Sequence, residues 1–332
     1  MWLLLLLIAG AAAIFLMRSR KQFFTTSGVV WTTDYHITYE AARNLDDSVQ
    51  RIFADVDASV SAFNPQSRVS AINRNESNTA DAYFIRLYRK AQQVHAASDS
   101  LYDPTVMPLV NAWGFGYKSG QLPTAAQLDS ILAFVGLHKT RLDGATVVKD
   151  DPRTQFDFSS IAKGMAVDEV AAMLRRNGAT NFLVEIGGEV TARGVNSRGE
   201  TWRVSADLPV DERDGNVQHH SAAVLLLRDR AVATSGNYRK FRESGGKKLS
   251  HIVNPLTGDA GTSSLLSVTV VAPDCMSADA WATACMAMGE ERTRRRMERN
   301  NTLGVMTISA GANGALVVWS NRAFARVLEV GL

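Results

Sequence analysis

The sequence predicts an α+β fold: a mixed, largely antiparallel sheet core with packed helices, preceded by one apolar N-terminal helix. Three observations lead there. Short β-branched runs outnumber the helical stretches that could serve as crossovers, which excludes a regular βαβ series. The stretch "FLVEIGGEVTARG" (182–194) reads as two strands around a Gly187-Gly188 turn, a hairpin signature. No internal repeat or low-complexity linker breaks the chain, which argues against loosely tethered modules.

At 332 residues and 46% hydrophobic content the chain buries a large core. Its net charge is +3. The basic residues are scattered, apart from a solvated helix face at Arg292 to Arg299, so nucleic acid is excluded as a partner. Cys275 and Cys285 form no metal-binding pattern and read as buried free thiols.

The elements follow in order. Trp2 to Met17 is one apolar run ended by Arg18, Arg20 and Lys21. At ~1.5 Å per residue it spans about 24 Å, short for a bilayer core but usable with snorkelling flanks. It reads as an uncleaved anchor in preference to a signal peptide, whose n-region would carry Lys or Arg. The chain therefore divides into an anchor or signal segment, 1–21, and one catalytic domain, 22–332. Basic residues on the C-terminal flank favour a cytoplasmic domain by the positive-inside rule.

"VVWTTDYHITYEA" (29–41) reads as one strand. Leu45, Val49, Ile52, Phe53, Val56, Val60 and Phe63 follow helical spacing up to Pro65. A second helix covers Ala82 to Ala97. "LYDPTVMPLVNAWGFG" is a turn and a short apolar helix, and Thr124 caps another helix to about Val135. Two short strands lead to "DFSSIAKG" and a helix closed by Gly178, a natural C′ residue. Beyond the 182–194 hairpin, strands are expected near Trp202–Ala206, Ala222–Leu227 and Ala231–Thr234. "LSHIVNPLTG", "LLSVTVVAP", Gly304–Ser309 and Gly314–Trp319 complete the set, with a helix starting near Ser277 between the last two pairs.

Five segments carry chemistry. On the helix from Ser277, Asp279 and Thr283 lie four residues apart and project from one face. A carboxylate above a hydroxyl offers the hard oxygen ligands that Mg²⁺ takes, although Asp in a first helical turn is also favoured by the macrodipole alone. "DFSSIAKG" (157–164) joins a strand end to a helix start, where backbone N–H groups suit phosphate oxygens. Lys163 adds a positive charge there and Asp157 an acceptor, though an ordinary Ser cap with a surface Lys fits the same residues. Arg239 lies beside a Gly turn. "HIVNPLTG" puts His251 on a strand before a turn, as a general base or as a structural histidine. Tyr102 and Asp103 suit a stacked planar ring or core packing equally. The inventory fits a metal-assisted reaction on a dinucleotide.

The blocks "SVSAFNPQSRVSAIN", "YDPTVMPLVNAWGFG", "DFSSIAKGMAVDEV", "VEIGGEV", "ATSGNYRKF", "HIVNPLTG" and "VTVVAPDCMSADAWATA" resemble, in order, those of the ApbE family of FAD:protein FMN transferases. The resemblance covers about Val29 to Leu332. It implies Mg²⁺-dependent cleavage of the FAD pyrophosphate, with FMN transferred through its phosphate to a Thr or Ser hydroxyl of an acceptor protein and AMP leaving. By position it implies metal ligation by Asp279, Thr283 and an oxygen of Ser160. FAD contacts would come from Trp31, Phe63, Leu101, Tyr102, Asp103, Asp157, Lys163 and Val253, and His251 would assist deprotonation of the acceptor hydroxyl. The resemblance further implies an extracytoplasmic domain at the inner membrane, against the charge-flank reading. The rivals are a metal-dependent FAD pyrophosphatase and a non-catalytic FAD-binding membrane protein. Three departures from the family pattern stand out: Trp31-Thr32-Thr33 for the usual Met-Gly-Thr, Phe63 for Tyr, and Asn254 for Asp. Altered FAD contacts are expected from them, with activity retained.

Overall fold

A computed structural model describes residues 21–116, 122–209, 221–237, 241–244, 247–261, 263–311 and 315–329. The apolar segment Trp2–Met17 and Arg239 lie outside the described residues. Among the described residues no helix is long and apolar enough to cross a membrane.

The chain opens with strands β1 (Gln22–Val30) and β2 (Thr33–Ala41), then helices α1 (Asp46–Val60), α2 (Arg68–Asn73), α3 (Ala82–Ala97), α4 (Met107–Ala112) and α5 (Ala125–Leu132). A small ribbon, β3 (Thr140–Asp143) and β4 (Thr146–Lys149), precedes α6 (Ala162–Arg176). Strands β5 (Phe182–Ile186) to β6 (Glu189–Arg193), β7 (Trp202–Asp207) to β8 (Ser221–Leu227), β9 (Arg230–Gly236), and β10 (Phe241–Ser244) to β11 (Lys247–Ser250) follow. The chain ends with β12 (Leu265–Ala272), α7 (Cys275–Met297), β13 (Gly304–Ala310), β14 (Leu316–Ser320) and α8 (Arg322–Ala325).

Eight strands form one sheet in the order β1-β2-β5-β6-β9-β12-β13-β14. Every pairing in it is antiparallel, so the mixed sheet expected from the sequence is corrected to a wholly antiparallel one. Short hairpins join β1 to β2, β5 to β6 and β13 to β14, while the other four pairings are closed by intervening helices or ribbons. The sheet's two faces are read from strand alternation. On β12, Val268, Val270 and Ala272 enter the main core beneath α6 and α7, while Val271 joins a second core. That second core lies under the β7–β8 ribbon and α8, with Leu225, Leu227, Ile308 and Phe324 at its centre.

Two expectations are corrected locally. The predicted strand 29–41 is a hairpin, with Trp31 (φ 50°) and Thr32 (φ 64°) as its two-residue turn. Two positive φ values match a type I′ turn, but Trp and β-branched Thr are strand formers, so the alternation hid the turn. The predicted strand through "LSHIVNPLTG" stops at Ser250, leaving His251 on a bend. Asn254 Oδ1 accepts from the Leu256 and Thr257 N–H groups, and Pro255 has no N–H to donate, so a turn replaces the strand. Helix α7 also starts two residues earlier than expected, because Asp274 caps it by accepting from the Ser277 N–H.

Candidate active site

The "DFSSIAKG" segment is fixed by its aromatic neighbours. Phe156 and Phe158 are fully buried and meet Phe84 of α3 edge-on, at ring separations of 5.3 and 5.1 Å. Burying such rings contributes about 2–3 kcal/mol each. Asn73 at the end of α2 closes the backbone of Phe156 from both sides, donating to its carbonyl (2.8 Å) and accepting from its N–H (2.7 Å). Asp157, half-buried and flanked by the two phenylalanines in sequence, donates its N–H to the Pro104 carbonyl (2.7 Å) and accepts from the Ser159 N–H (2.8 Å). The two loops that begin with Leu101 and Asp157 are thereby joined. Ser160 Oγ extends that junction by donating to the Tyr102 hydroxyl at 3.1 Å. The Tyr102 ring is buried in the core, and that burial holds its phenol protonated well above its ordinary range.

Helix α6 starts without a side-chain cap, and its first turn abuts α7. The contact leaves no room for a side chain at Gly164. A Cβ there would stand 2.5 Å from the Cys275 carbonyl oxygen and 2.8 Å from Asp279 Cβ. The Gly164 N–H instead donates to Asp279 Oδ2 at 2.9 Å, across 115 residues of sequence. One α6 turn on, Asp168 accepts from the Cys275 and Met276 N–H groups, both at 2.9 Å, and ties down the start of α7. Thr283, one α7 turn beyond Asp279, shares a hydrogen bond of 3.1 Å with Ser235 at the end of β9.

The electrostatics centre on three groups. Lys163 forms an ion pair with Glu189, the first residue of β6, whose side chain is 3% exposed. Burial raises the Glu189 carboxyl above its ordinary range, and the Asp279 charge adds to the rise against the opposing Lys163. Burial likewise raises Asp279, opposed by Lys163 and the Gly164 N–H. Burial works against the Lys163 charge, but Glu189 and Asp279 together outweigh it and hold the ammonium above its usual value. A buried carboxylate and the Thr283 hydroxyl form an all-oxygen donor set. Among the described residues no group of three His, Cys, Asp or Glu could hold a metal ion. One carboxylate with hydroxyl oxygen is donor chemistry that Mg²⁺ accepts when water and substrate phosphate oxygens complete its shell.

The other predicted site residues are placed as follows. Trp31 packs edge-on against Phe53 of α1 at 5.6 Å, and Phe63 is 58% exposed just past that helix. Leu101 is buried in the main core, and Val253 in a satellite cluster with Leu109 and Leu128. The Asp103 carboxylate is engaged internally: it accepts from the Thr105 N–H and hydroxyl and from the Leu137 N–H. His251 is half-buried with its ring 6.3 Å from that of Phe115. Sequence reasoning missed Glu189, Asp168 and Ser235. An acidic residue directly after the Gly187-Gly188 turn was the available signal for Glu189, and Asp168 and Ser235 left none.

This arrangement defines a class of α+β proteins in which two helices on one antiparallel sheet bring the Asp279 carboxyl beside a Lys163–Glu189 ion pair, with Thr283 one helical turn away. Comparison with known proteins narrows it. The ApbE family profile matches residues 31–307. The FAD:protein FMN transferase of Haemophilus influenzae is 34% identical over 342 residues, covering 97% of each chain. The solved flavin transferase ApbE from Vibrio cholerae is 31% identical with a TM-score of 0.82, covering 93% of this chain and 100% of that one. The apo flavinyl transferase ApbE of Pseudomonas stutzeri superposes with a TM-score of 0.83 at 29% identity, over 95% and 98% of the two chains. The chain belongs to the ApbE family.

Proposed function

We propose that this chain transfers FMN from FAD, through its phosphate, to a Thr or Ser hydroxyl of an acceptor protein and releases AMP, with Mg²⁺ at Asp279 and Thr283. Family membership carries the reaction itself, transfer of FMN from FAD to acceptor proteins. The observation that best supports the metal reading is the Gly164–Asp279 hydrogen bond, which joins the phosphate-suited helix start to the acid–hydroxyl pair.

In the reaction the acceptor hydroxyl oxygen bonds to the phosphorus on the flavin side of the pyrophosphate. The bond from that phosphorus to the bridging oxygen breaks, and AMP departs with the bridge. The hydroxyl proton passes to His251. Lys163 and the N-terminal end of the α6 dipole hold positive potential beside the phosphate oxygens. Mg²⁺ bound by Asp279, Thr283 and an oxygen of Ser160 would offset charge developing on the pyrophosphate. Trp31, Phe63 and Asp157 keep side chains accessible to FAD, whereas the side chains of Leu101, Tyr102, Asp103 and Val253 are buried and leave their backbones for such contacts. The Trp31–Thr32 turn, at a cost of about 1–2 kcal/mol for each left-handed residue, is strain of the kind found at ligand sites. The same reading anchors the chain to the inner membrane through Trp2–Met17, with the domain extracytoplasmic.

One assay tests the proposal: the purified chain with FAD, Mg²⁺ and an acceptor bearing a Thr among small residues. Covalent flavin on the acceptor, seen as in-gel fluorescence that depends on Mg²⁺, is the expected result. Free FMN with an unlabelled acceptor would replace the transferase by a pyrophosphatase, and intact bound FAD by a binding scaffold.

A further inference from the structure

The Glu189 and Asp279 carboxyls are buried between α6, β6 and α7, with Lys163 as the cation beside them. Two carboxylates, Glu189 and Asp279, act on one ammonium, that of Lys163. Lys163 bonds to Glu189, and among the described residues no ion pair reaches Asp279. Asp279 Oδ2 takes the neutral Gly164 N–H instead. A lysine ammonium is a compact charge on a flexible stem with three rotatable donors, so it follows whichever carboxylate is presented to it. If Glu189 lost its charge, the buried carboxylate left to Lys163 would be Asp279, in surroundings where low dielectric makes such a pair strong. A divalent cation would then have to displace the ammonium before reaching Asp279.

We propose that Glu189 is a positioning residue, holding the Lys163 ammonium off Asp279 so that this carboxylate stays open to a divalent cation. The inference rests on the reading of Asp279 as a metal ligand. The fold fixes Glu189 for the task. It begins β6 immediately after the Gly187-Gly188 turn, and the Gly187 N–H donates to the Asp34 carbonyl at 2.9 Å. A Cβ on Gly187 would stand 2.8 Å from Thr33 Oγ1, so the two neighbouring hairpin turns are locked together and set where β6 starts.

Direct binding of Mn²⁺ to the full chain without FAD, followed by paramagnetic resonance of the free ion, tests this apart from turnover. Glu189→Gln is expected to raise the Mn²⁺ Kd about tenfold or more, as loss of a ligand's supporting partner does. Lys163→Met should bind Mn²⁺ at least as tightly as the native chain, and Lys163→Met/Glu189→Gln should return to near the native value. A purely structural role for Glu189 predicts no such rescue. Unchanged affinity in Glu189→Gln, or a double variant as weak as that single one, would overturn the proposal. Should Glu189→Gln not fold, weaker binding by Lys163→Met overturns it equally. Asp279→Asn separates the two levels: loss of Mn²⁺ binding there with native affinity in Glu189→Gln removes only the positioning role. Native affinity in Asp279→Asn removes the metal reading and this inference with it.

Discussion

Helix α7 is two different helices in one run of sequence. From Cys275 to Met288 every residue is buried or half-buried, packed against α6, β9 and β12, and this half carries Asp279 and Thr283. At Gly289 the backbone leaves helical geometry (φ 75°, ψ 174°), and the half beyond it alternates exposed residues with the buried Thr293 and Met297. Its charges pair along the surface, Arg295 with Glu291 and Arg294 with Glu290, each at 2.5 Å. Arg and Asp are equally polar in a sequence. In the first half a single carboxylate is desolvated and bears on its neighbours, while in the second water screens the Arg295–Glu291 pair and leaves it worth little. Burial converts a charge into a site.

Four substitutions probe that contrast, in order of expected effect. Asp279→Ala should lower Mg²⁺-dependent transfer by about a thousandfold or more, since a ligand and the charge stabilisation it organises are lost together. Near-native turnover would remove Asp279 from the mechanism. Gly164→Ala should destabilise the fold by about 1–3 kcal/mol through overpacking against Cys275 and should lower activity by displacing Asp279. Urea unfolding alongside the transfer assay checks both parts, and native stability would show that α6 and α7 can separate without cost.

Asp168→Asn tests the buried half through pH. Burial lifts the Asp168 carboxyl from 3.8 to about 6, against the Cys275 and Met276 N–H groups that favour its charge. The folded chain therefore binds more protons than the unfolded one between those values. The cost of ionising Asp168 is absent below about 4 and complete above about 6, so its contribution to stability falls as pH rises through that window. Unfolding midpoints measured across it should slope less in Asp168→Asn than in the native chain, and an unchanged slope would refute the assignment. At the exposed end, Arg295→Ala should change stability by no more than about 0.5 kcal/mol, because the Glu291 pair is open to solvent. A larger loss by thermal melting would erase the contrast between the two halves.

Much of the fold was legible because its signals are local. Helix α3 runs from Ala82 to Ala97 as its spacing predicted, and Thr124 caps α5 in a full capping box with Gln127. The Gly187-Gly188 turn was read from its glycines, whereas the adjacent Trp31–Thr32 turn was not, although both hold positive φ. The second turn is enforced by the strands on either side, whose register from Val30–Thr33 to Gln22–Ala41 outweighs the preferences of its own two residues. The site divides the same way. Asp279 and Thr283 were a pair at helical spacing, but the Ser160–Tyr102 bond spans 58 residues and the Lys163–Glu189 pair joins a helix to a strand. Asp103 shows the converse, a candidate ligand whose carboxylate the fold turns inward to hold Thr105 and Leu137.

The sequence by itself determined where most of the helices and strands lie, which acid and hydroxyl share a helix face, and which ordered blocks mark the family. Those features depend on residues within a turn or two of one another, where backbone geometry sets the outcome. Only the tertiary structure decided that Gly164 donates to Asp279, that Lys163 turns to Glu189, and that the Asp279 and Glu189 carboxyls lose their water. Desolvation belongs to no residue alone; it arises when distant segments close over the same space.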